Sequence, residues 1–531
     1  MKNDARVLLF AVLLAAFVCV STGIVNGAEA PEEEWNRTFG GSNYDYGYAV
    51  QQTTDGGYII TGYTQSFGID SPDVWLVKTA ANGSAEWSRT FGGSWYDSGY
   101  AVQETKDGGY IVAGSTHSFG AGSNDVWLIK TVANGSEDWK RTFGGDSNDY
   151  GYAVQQTTDG GYIVAGSTAS FGAGVDDVWL LKVAANGSED WNRTFGGNSN
   201  DYGYAVRQTT DGGYIVAGST KSFSVGSGDL WLLKVSANGT ADWNRTFGGP
   251  SDDGGQAVQQ TKDGGYIVAG STRTFGAGSG DVWLLKTAAN GTADWNRAFG
   301  GFSDEVGHSV QQTTDGGYIL VGSTRTFGAG SGDVWLLKTA ANGSEHWNMT
   351  FGGFADEAGH AVQQTIDRGY IVAGYTHTFG VGSGDVWLIK VAGEPAEPPI
   401  FDTGKGTYPS ISGTFNGTIT PSCNLTVSKL YTYPCTGTGG HSEYATFSHL
   451  NGTIAEAHWN GYTGDWHNLT FNNSFTLYAN QTYTYTIRMG SYPQIIHAES
   501  KDVTGGRITC TSFIDINGKR HDGWIPAIRL Q

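Results

Sequence analysis

Beyond the first thirty residues, short runs of apolar and β-branched residues alternate with breaks rich in Gly, Asn and Asp, and apolar positions do not recur at helical spacing. The pattern repeats. Trp35, Trp87, Trp139, Trp191, Trp243, Trp295 and Trp347 each open a unit like Trp-Asn-Arg-Thr-Phe-Gly-Gly, 52 residues apart and without insertions. Within a unit four segments carry β chemistry. In the first unit they are Tyr48–Thr53 (A), Tyr58–Gly62 (B), Val74–Lys78 (C) and, opening the next unit, Trp87–Phe91 (D). Asp55-Gly56-Gly57 joins A to B and Asn82-Gly83 joins C to D, both hairpin signals, with Asn-Gly read as a type I′ turn. Runs B and C are nearly continuous in apolar character, as expected of sheets covered on both faces.

Seven such units of four antiparallel strands predict a seven-bladed β-propeller. The phase of the repeat sharpens this. Strand A occurs seven times, beginning at Tyr48, Tyr100, Tyr152, Tyr204, Gln256, His308 and His360, and the last C strand ends at Lys390. The first D strand, at Trp35, precedes any A strand, and none follows the last C. The N-terminal D strand must therefore complete the seventh blade and close the ring, removing the open edge. A parallel β-helix has a shorter coil, and a helical solenoid needs a periodicity that is absent.

The repeated Asp159-Gly-Gly-Tyr-Ile-Val-Ala-Gly166 resembles the motif of bacterial and archaeal secreted seven-bladed propellers, over residues 35 to 391. That resemblance implies a secreted or cell-surface protein and is nearly silent on activity. Kelch propellers also carry a double Gly, but there it ends a strand, whereas Gly160-Gly161 begins one.

Composition narrows the functional classes. Net charge is −20, and only 15% of residues are charged, while aromatics reach 13%. A polyanionic surface argues against nucleic acid as a partner and favours solubility, cations or cationic partners. Residues 1–30 read as a secretory signal peptide: Lys2 and Arg6, an apolar run from Val7 to Val20, and Ala28-Glu29-Ala30 before Pro31. The alternative is an uncleaved anchor; after cleavage no transmembrane segment is expected. Cys423, Cys435 and Cys510 then remain, and one disulfide is expected, Cys423 to Cys435 by proximity, though Cys510 with either is equally allowed.

Strand directions place the A–B and C–D turns at one end of the ring and the D–A and B–C loops at the other. The turn end carries Asn-Gly-Ser/Thr at Asn82, Asn134, Asn186, Asn238, Asn290 and Asn342, each an N-glycosylation sequon. The loop end is where units differ. Blades one to four offer Tyr44, Trp95, Tyr96, Tyr150 and Tyr202, able to stack on sugar rings or insert into a protein partner, or else to pack between loops. Later blades are acidic: Asp304, Glu305 and His308 lie beside Asp356, Glu357 and His360, with Asp252 and Asp253 one blade away. This set suits a divalent cation, Zn or Mn through imidazole and carboxylate, or Ca through carboxylates alone, against the reading that these side chains are solvated or bonded to loop amides. No cofactor is otherwise indicated. The Asp opening each strand C (Asp73, Asp125 and their equivalents) is expected to accept N–H groups of the B–C loop.

The domain boundaries follow: 1–30 signal peptide, 31–392 propeller, 393–400 a Pro/Glu linker, and 401–531 a β-sandwich domain. This last segment resembles a module of archaeal cell-surface proteins through Lys429-Leu-Tyr-Thr-Tyr-Pro434 and Trp459-Asn-Gly-Tyr-Thr-Gly-Asp-Trp466. Trp459, Tyr462 and Trp466 are expected either as a sugar platform or as core residues. The leading functional expectation is a non-enzymatic glycoprotein scaffold at the cell surface, binding an extracellular glycan or envelope protein. The alternative is an extracellular polysaccharide hydrolase or lyase working at the channel mouth, with Asp304, Glu305, Asp356 and Glu357 as the available carboxylates.

Overall fold

The computed structural model describes residues 30–394, 400–407, 411–434, 441–450, 452–459, 461, 467–490 and 493–531. Among them every regular element is a strand, and no helix is long and apolar enough to cross a membrane. The chain divides into two compact units, one ending at Glu394 and the other beginning at Pro395.

The first unit is a seven-bladed β-propeller. Blade one orders strands Asp45–Gln52, Tyr58–Thr64, Asp73–Thr79 and Ala85–Phe91 as an antiparallel A-B-C-D sheet, and five more sheets repeat it. Blade seven takes Glu357–Gln364, Tyr370–Thr376 and Asp385–Val391 from the end of the array and Glu33–Phe39 from its beginning. Asn36 faces Ile389 and Phe39 faces Val386. The expected closure is present.

Seven apolar clusters explain why strands B and C are continuous in apolar character. Each lies between two blades; Tyr58, Ile60 and Trp75 of blade one, for example, pack on Ile371, Val386 and Leu388 of blade seven. A single blade would leave both faces wet, so burial links every blade to its neighbours.

Local chemistry fixes the turns. Gly83 has a φ of 79°, while Asn82 is not in the left-handed region. Gly83 N–H donates to Ala80 C=O, and Ala80 N–H to Ser84 C=O. The C–D turn is therefore a three-residue loop closed by a Gly bulge, not the expected type I′ turn. A Cβ at Gly83 would also strike the Trp35 ring of the preceding blade. Beside that ring, the Arg37 guanidinium sits 5.4 Å from its centroid and donates to Asn82 C=O. Six Arg residues, Arg37 to Arg297, reach six such carbonyls at 3.1 to 3.4 Å. The seventh position is Met349, and blade seven has no C–D turn to hold; there Trp347 Nε1 donates to Glu394 at 2.9 Å instead.

The Asp-Gly-Gly motif gains a partner that the sequence reading missed. Each buried strand C lysine reaches the Asp of its own blade's A–B turn: Lys78 meets Asp55 at 2.9 Å, and Lys338 meets Asp315 at 2.7 Å. Burial alone would raise the Asp55 carboxyl, but hydrogen bonds from Thr53 and Lys78 outweigh it and bring the pKa down to about 2.

In the second unit, two antiparallel sheets share one core. One sheet runs Phe401–Asp402, Ile528–Leu530, Leu425–Thr432 and Asn468–Leu477; the other is centred on Tyr483–Gly490, Gly413–Pro421 and Gly506–Asp515. Phe415 stacks on Phe513 at 4.2 Å within the core. This is a sandwich-like arrangement. Trp459 packs partly buried against that core, beside His441 at 4.4 Å, while Tyr462 and Trp466 lie outside the described residues. Among the described residues Cys423 and Cys510 are not bridged to one another; Cys435, the expected partner of Cys423, lies outside the described residues.

Candidate functional site

Strand A begins three residues earlier than its apolar pattern suggests, at Asp45 in place of Tyr48. The reason is a carboxylate cap. Asp45 is fully buried and accepts from Ser66 Oγ at 2.6 Å, from Gly41 N–H at 2.8 Å and from Thr64 Oγ1. Asp97, Asp149, Asp201 and Asp253 repeat the position, and Glu305 and Glu357 occupy it in blades six and seven.

That placement corrects the cation-site expectation. Glu305 accepts from Gly301 N–H at 2.8 Å, Thr326 N–H at 3.1 Å and Thr324 Oγ1 at 3.2 Å. Glu357 makes the equivalent bonds to Gly353, Thr378 and Thr376. Both are buried structural caps. His308 and His360 belong to another column: each A strand carries a β-bulge between its conserved-spacing Gly and the residue two further on, and the bulged residue is Tyr48, Tyr100, Tyr152, Tyr204, Gln256, His308 or His360. A bulge re-aims its side chain. Here the seven line the centre of the ring, with centroids 5.4 to 5.6 Å apart from Tyr48 through Tyr204, and His308 4.9 Å from His360. Burial lowers the pKa of His308 to about 4 and, with the neighbouring His308, that of His360 to about 3, so both imidazoles are neutral at pH 7. Asp304 and Asp356 sit on the loop above. Among the described residues, no group of three or more His, Cys, Asp or Glu side chains is arranged to hold a metal ion.

The Asp opening each strand C behaves as expected. Asp177 accepts from Ala173 N–H at 2.8 Å and Gly174 N–H at 3.1 Å. Its like-placed neighbour Asp125 is buried, which raises its pKa to about 6 against the hydrogen bond from Ala121, with Asp149 nearby adding repulsion. Gly144 is glycine for the same reason, because a Cβ there would overlap the Asp125 carboxylate.

The aromatic candidates divide. Tyr150 stacks on Tyr152 and Tyr202 on Tyr204, each pair at 5.8 Å, and Tyr202 OH donates to Asp176 at 3.1 Å. Tyr44 lies between Tyr46 and His377, and Tyr96 beside Tyr63. These rings mostly fill the mouth of the ring. Trp95 stays 62% exposed, touching His117. The sequence reading passed over Phe302 and Phe354, each 89% exposed on adjacent blades of the same end.

The filling stops at blade five. Where blades three and four carry the stacked Tyr pairs, blade five carries Gly254 and Gln256, and the missing rings leave a cavity of about 470 Å³. Tyr204 forms one wall, and Gly228, Gly280, Ser219 and Ser271 line it with small groups. Around it stand Lys221, Arg273 and Arg325, alternating with Asp252 and Asp304. Arg273 lies 3.9 Å from Asp252 and 4.0 Å from Asp304, bridging blades five and six. Repeat arithmetic would have found the site. The column of Lys221, Arg273 and Arg325 reads Gln65, His117 and Ala169 in blades one to three, and the column of Asp252 and Asp304 reads Tyr44, Tyr96, Asn148 and Asn200 in blades one to four. Two further columns change with them. Gly254 stands where Tyr202 does, and Gly228 and Gly280 stand where Pro72, Asn124 and Asp176 do.

At the turn end, Asn82, Asn134, Asn186, Asn238, Asn290 and Asn342 are all exposed. Their Ser and Thr companions have a local role: Ser84 N–H and Oγ both bond to Asn82 Oδ1, at 3.0 and 2.7 Å.

No protein-family model and no curated protein matches the chain. Solved structures similar to it include the Pan2 WD40 domain of Neurospora crassa, 10% identical over 67% of this chain and 90% of that one with a TM-score of 0.41. YCF48 bound to D1 peptide is 9% identical over 70% of this chain and 100% of that one, with a TM-score of 0.40. The polysaccharide lyase Uly1 is 11% identical over 70% of this chain and 94% of that one, also with a TM-score of 0.40. At such identities the likeness concerns the propeller architecture, which the strand pairing already establishes, and says nothing of activity.

Proposed function

We propose that this chain is a non-enzymatic binding scaffold of the cell exterior, which receives a glycan or protein ligand in the cavity of blades four to six. Its export rests on the leader-like residues 1–30 and on the six exposed sequons of the turn end, which we propose carry glycans. The second unit would serve attachment to the envelope.

One observation carries the binding reading. In an array of near-identical units, four columns that meet in space at this cavity change together: the stacked Tyr pair of blades three and four gives way to Gly254 and Gln256, and loop positions that are neutral in blades one to three become Asp and Lys or Arg. Scaffolding alone needs no such coordination, since blades one to three stand without it. The hydrolase reading is less supported. A glycosidase needs two available carboxylates flanking a sugar, whereas Glu305 and Glu357 are spent on Thr hydroxyls and loop amides, and Arg273 lies between Asp252 and Asp304.

The test is to rebuild the plug. Gly254→Tyr with Gln256→Tyr reproduces the pair that blades three and four already stack, so the fold should be retained while the cavity is filled. Glycan-array binding by the full chain should vanish in this variant and persist in Trp95→Ala. Product release from a bound polysaccharide, lost in Asp252→Asn with Asp304→Asn, would overturn the non-enzymatic reading.

A further inference from the structure

We infer that the ligand of this cavity is a carboxylated sugar, a uronate unit within an acidic polysaccharide; this rests on the binding reading above. In a chain of net charge −20, the propeller commits two repeating sets of basic side chains closely. Strand C lysines hold A–B turn carboxylates at 2.7 to 3.0 Å, and strand D arginines hold turn carbonyls. Lys221, Arg273 and Arg325 are different. Among the described residues Lys221 and Arg325 have no carboxylate within 4.0 Å, and Arg273 meets its two only at the limit of that distance, with half its side chain exposed. Three exposed cations in one sector, around a cavity, form an anion-receiving arc.

The rest of the lining specifies what surrounds the anion. A guanidinium presents a planar fork that matches a carboxylate with two parallel hydrogen bonds. Asp252 and Asp304 can only accept, so they suit hydroxyl donors, and Ser219 and Ser271 can do either. Tyr204 puts an aromatic ring into the wall, apolar surface that suits the C–H side of a pyranose. A carboxylate next to several hydroxyls on a ring is a uronic acid. The acidic surface outside this sector repels a polyanion, which confines its binding to the three cations.

The experiment compares a short oligogalacturonate with its methyl ester on the unmodified full chain, by calorimetry at low and physiological salt. The ester removes the charge and keeps the sugar, so no variant need fold. The free acid should bind at least about tenfold more tightly, the scale of a hydrogen bond to a charged group, and Arg273→Ala with Arg325→Ala should erase that preference. Equal affinity for acid and ester, or a preference for neutral or sulfated oligosaccharides, overturns the uronate assignment. If such ligands are still lost on filling the cavity with Gly254→Tyr and Gln256→Tyr, the binding reading survives that failure. Acid binding that persists in the filled variant overturns both.

Discussion

Ring closure can be measured as a free energy. The Cα atoms of Asn36 and Ile389 face each other across the seam of blade seven, and those of Asn192 and Leu181 occupy the same register inside blade three. Directly opposed residues of antiparallel strands lie within the span of a disulfide. Consider Asn36→Cys with Ile389→Cys, and separately Asn192→Cys with Leu181→Cys, each in a background of Cys423→Ser, Cys435→Ser and Cys510→Ser. The seam bridge encloses about 350 residues, and the chain-entropy relation gives about 5.8 kcal/mol of stabilisation; the bridge within blade three encloses about ten and gives about 2.8 kcal/mol. Comparing oxidised with reduced protein of the same variant cancels the loss of the core side chain, so the informative quantity is the excess of about 3 kcal/mol at the seam. Denaturant unfolding followed by Trp fluorescence, with and without reductant, measures it. A seam pair that will not oxidise in the native protein, or that stabilises no more than the internal pair, refutes closure by the first strand and with it the two-ended geometry on which the binding site depends.

Three further outcomes follow from the same geometry. Arg368 holds a φ of 69°, where six blades place Gly, so Arg368→Gly should stabilise the propeller by about 0.5–1 kcal/mol; an unchanged or lower denaturation midpoint would contradict this. Arg297→Met should destabilise by about 0.5–1 kcal/mol through the lost contact with Asn342 and Trp295, whereas Met349→Arg, with no C–D turn to reach, should gain nothing; equal and opposite shifts would count against the staple. The third concerns pH. Burial raises the Asp125 pKa from 3.8 to about 6, so the folded state binds more protons than the unfolded one between those values, and this carboxyl's contribution to stability falls as pH rises from about 4 to 6. His308 and His360, lowered by burial, act in the opposite sense. The separable prediction is that Asp125→Asn gains stability relative to the parent as pH rises through that window, checked by urea midpoints; a difference that is flat or shrinks would remove the buried-carboxyl account.

Blade number, strand order and the closing strand were legible from sequence because they depend only on a 52-residue period and its phase. Positions that depend on which side chains the fold brings together were not. Asp45 looked like loop because its apolar neighbours begin at Tyr48, and only the Thr64 and Ser66 hydroxyls reveal it as a buried cap. Glu305 and Glu357 then looked like free acids, although they are longer replacements for that cap. The Lys78 and Asp55 pair was missed because 23 residues separate two side chains that adjacent turns bring to 2.9 Å. The cavity is half visible in the sequence: Gln256, His308 and His360 replace Tyr at the head of strand A, and His308 and His360 look like added chemistry. The larger effect of that replacement is removed volume, and the cations bordering it stand in a column of the B–C connection that already varies, as Gln65, His117 and Ala169, so that Lys221, Arg273 and Arg325 look like ordinary surface variation.

The strand Glu33–Phe39 is made first and used last. Until Val386 and its neighbours have emerged, nothing in the chain offers this strand its native partner, and six complete sheets can form in sequence while the outermost edge of the seventh waits. A chain that emerged end-first from a narrow passage would thus finish its disc only once the final blade, and not any earlier one, had come through.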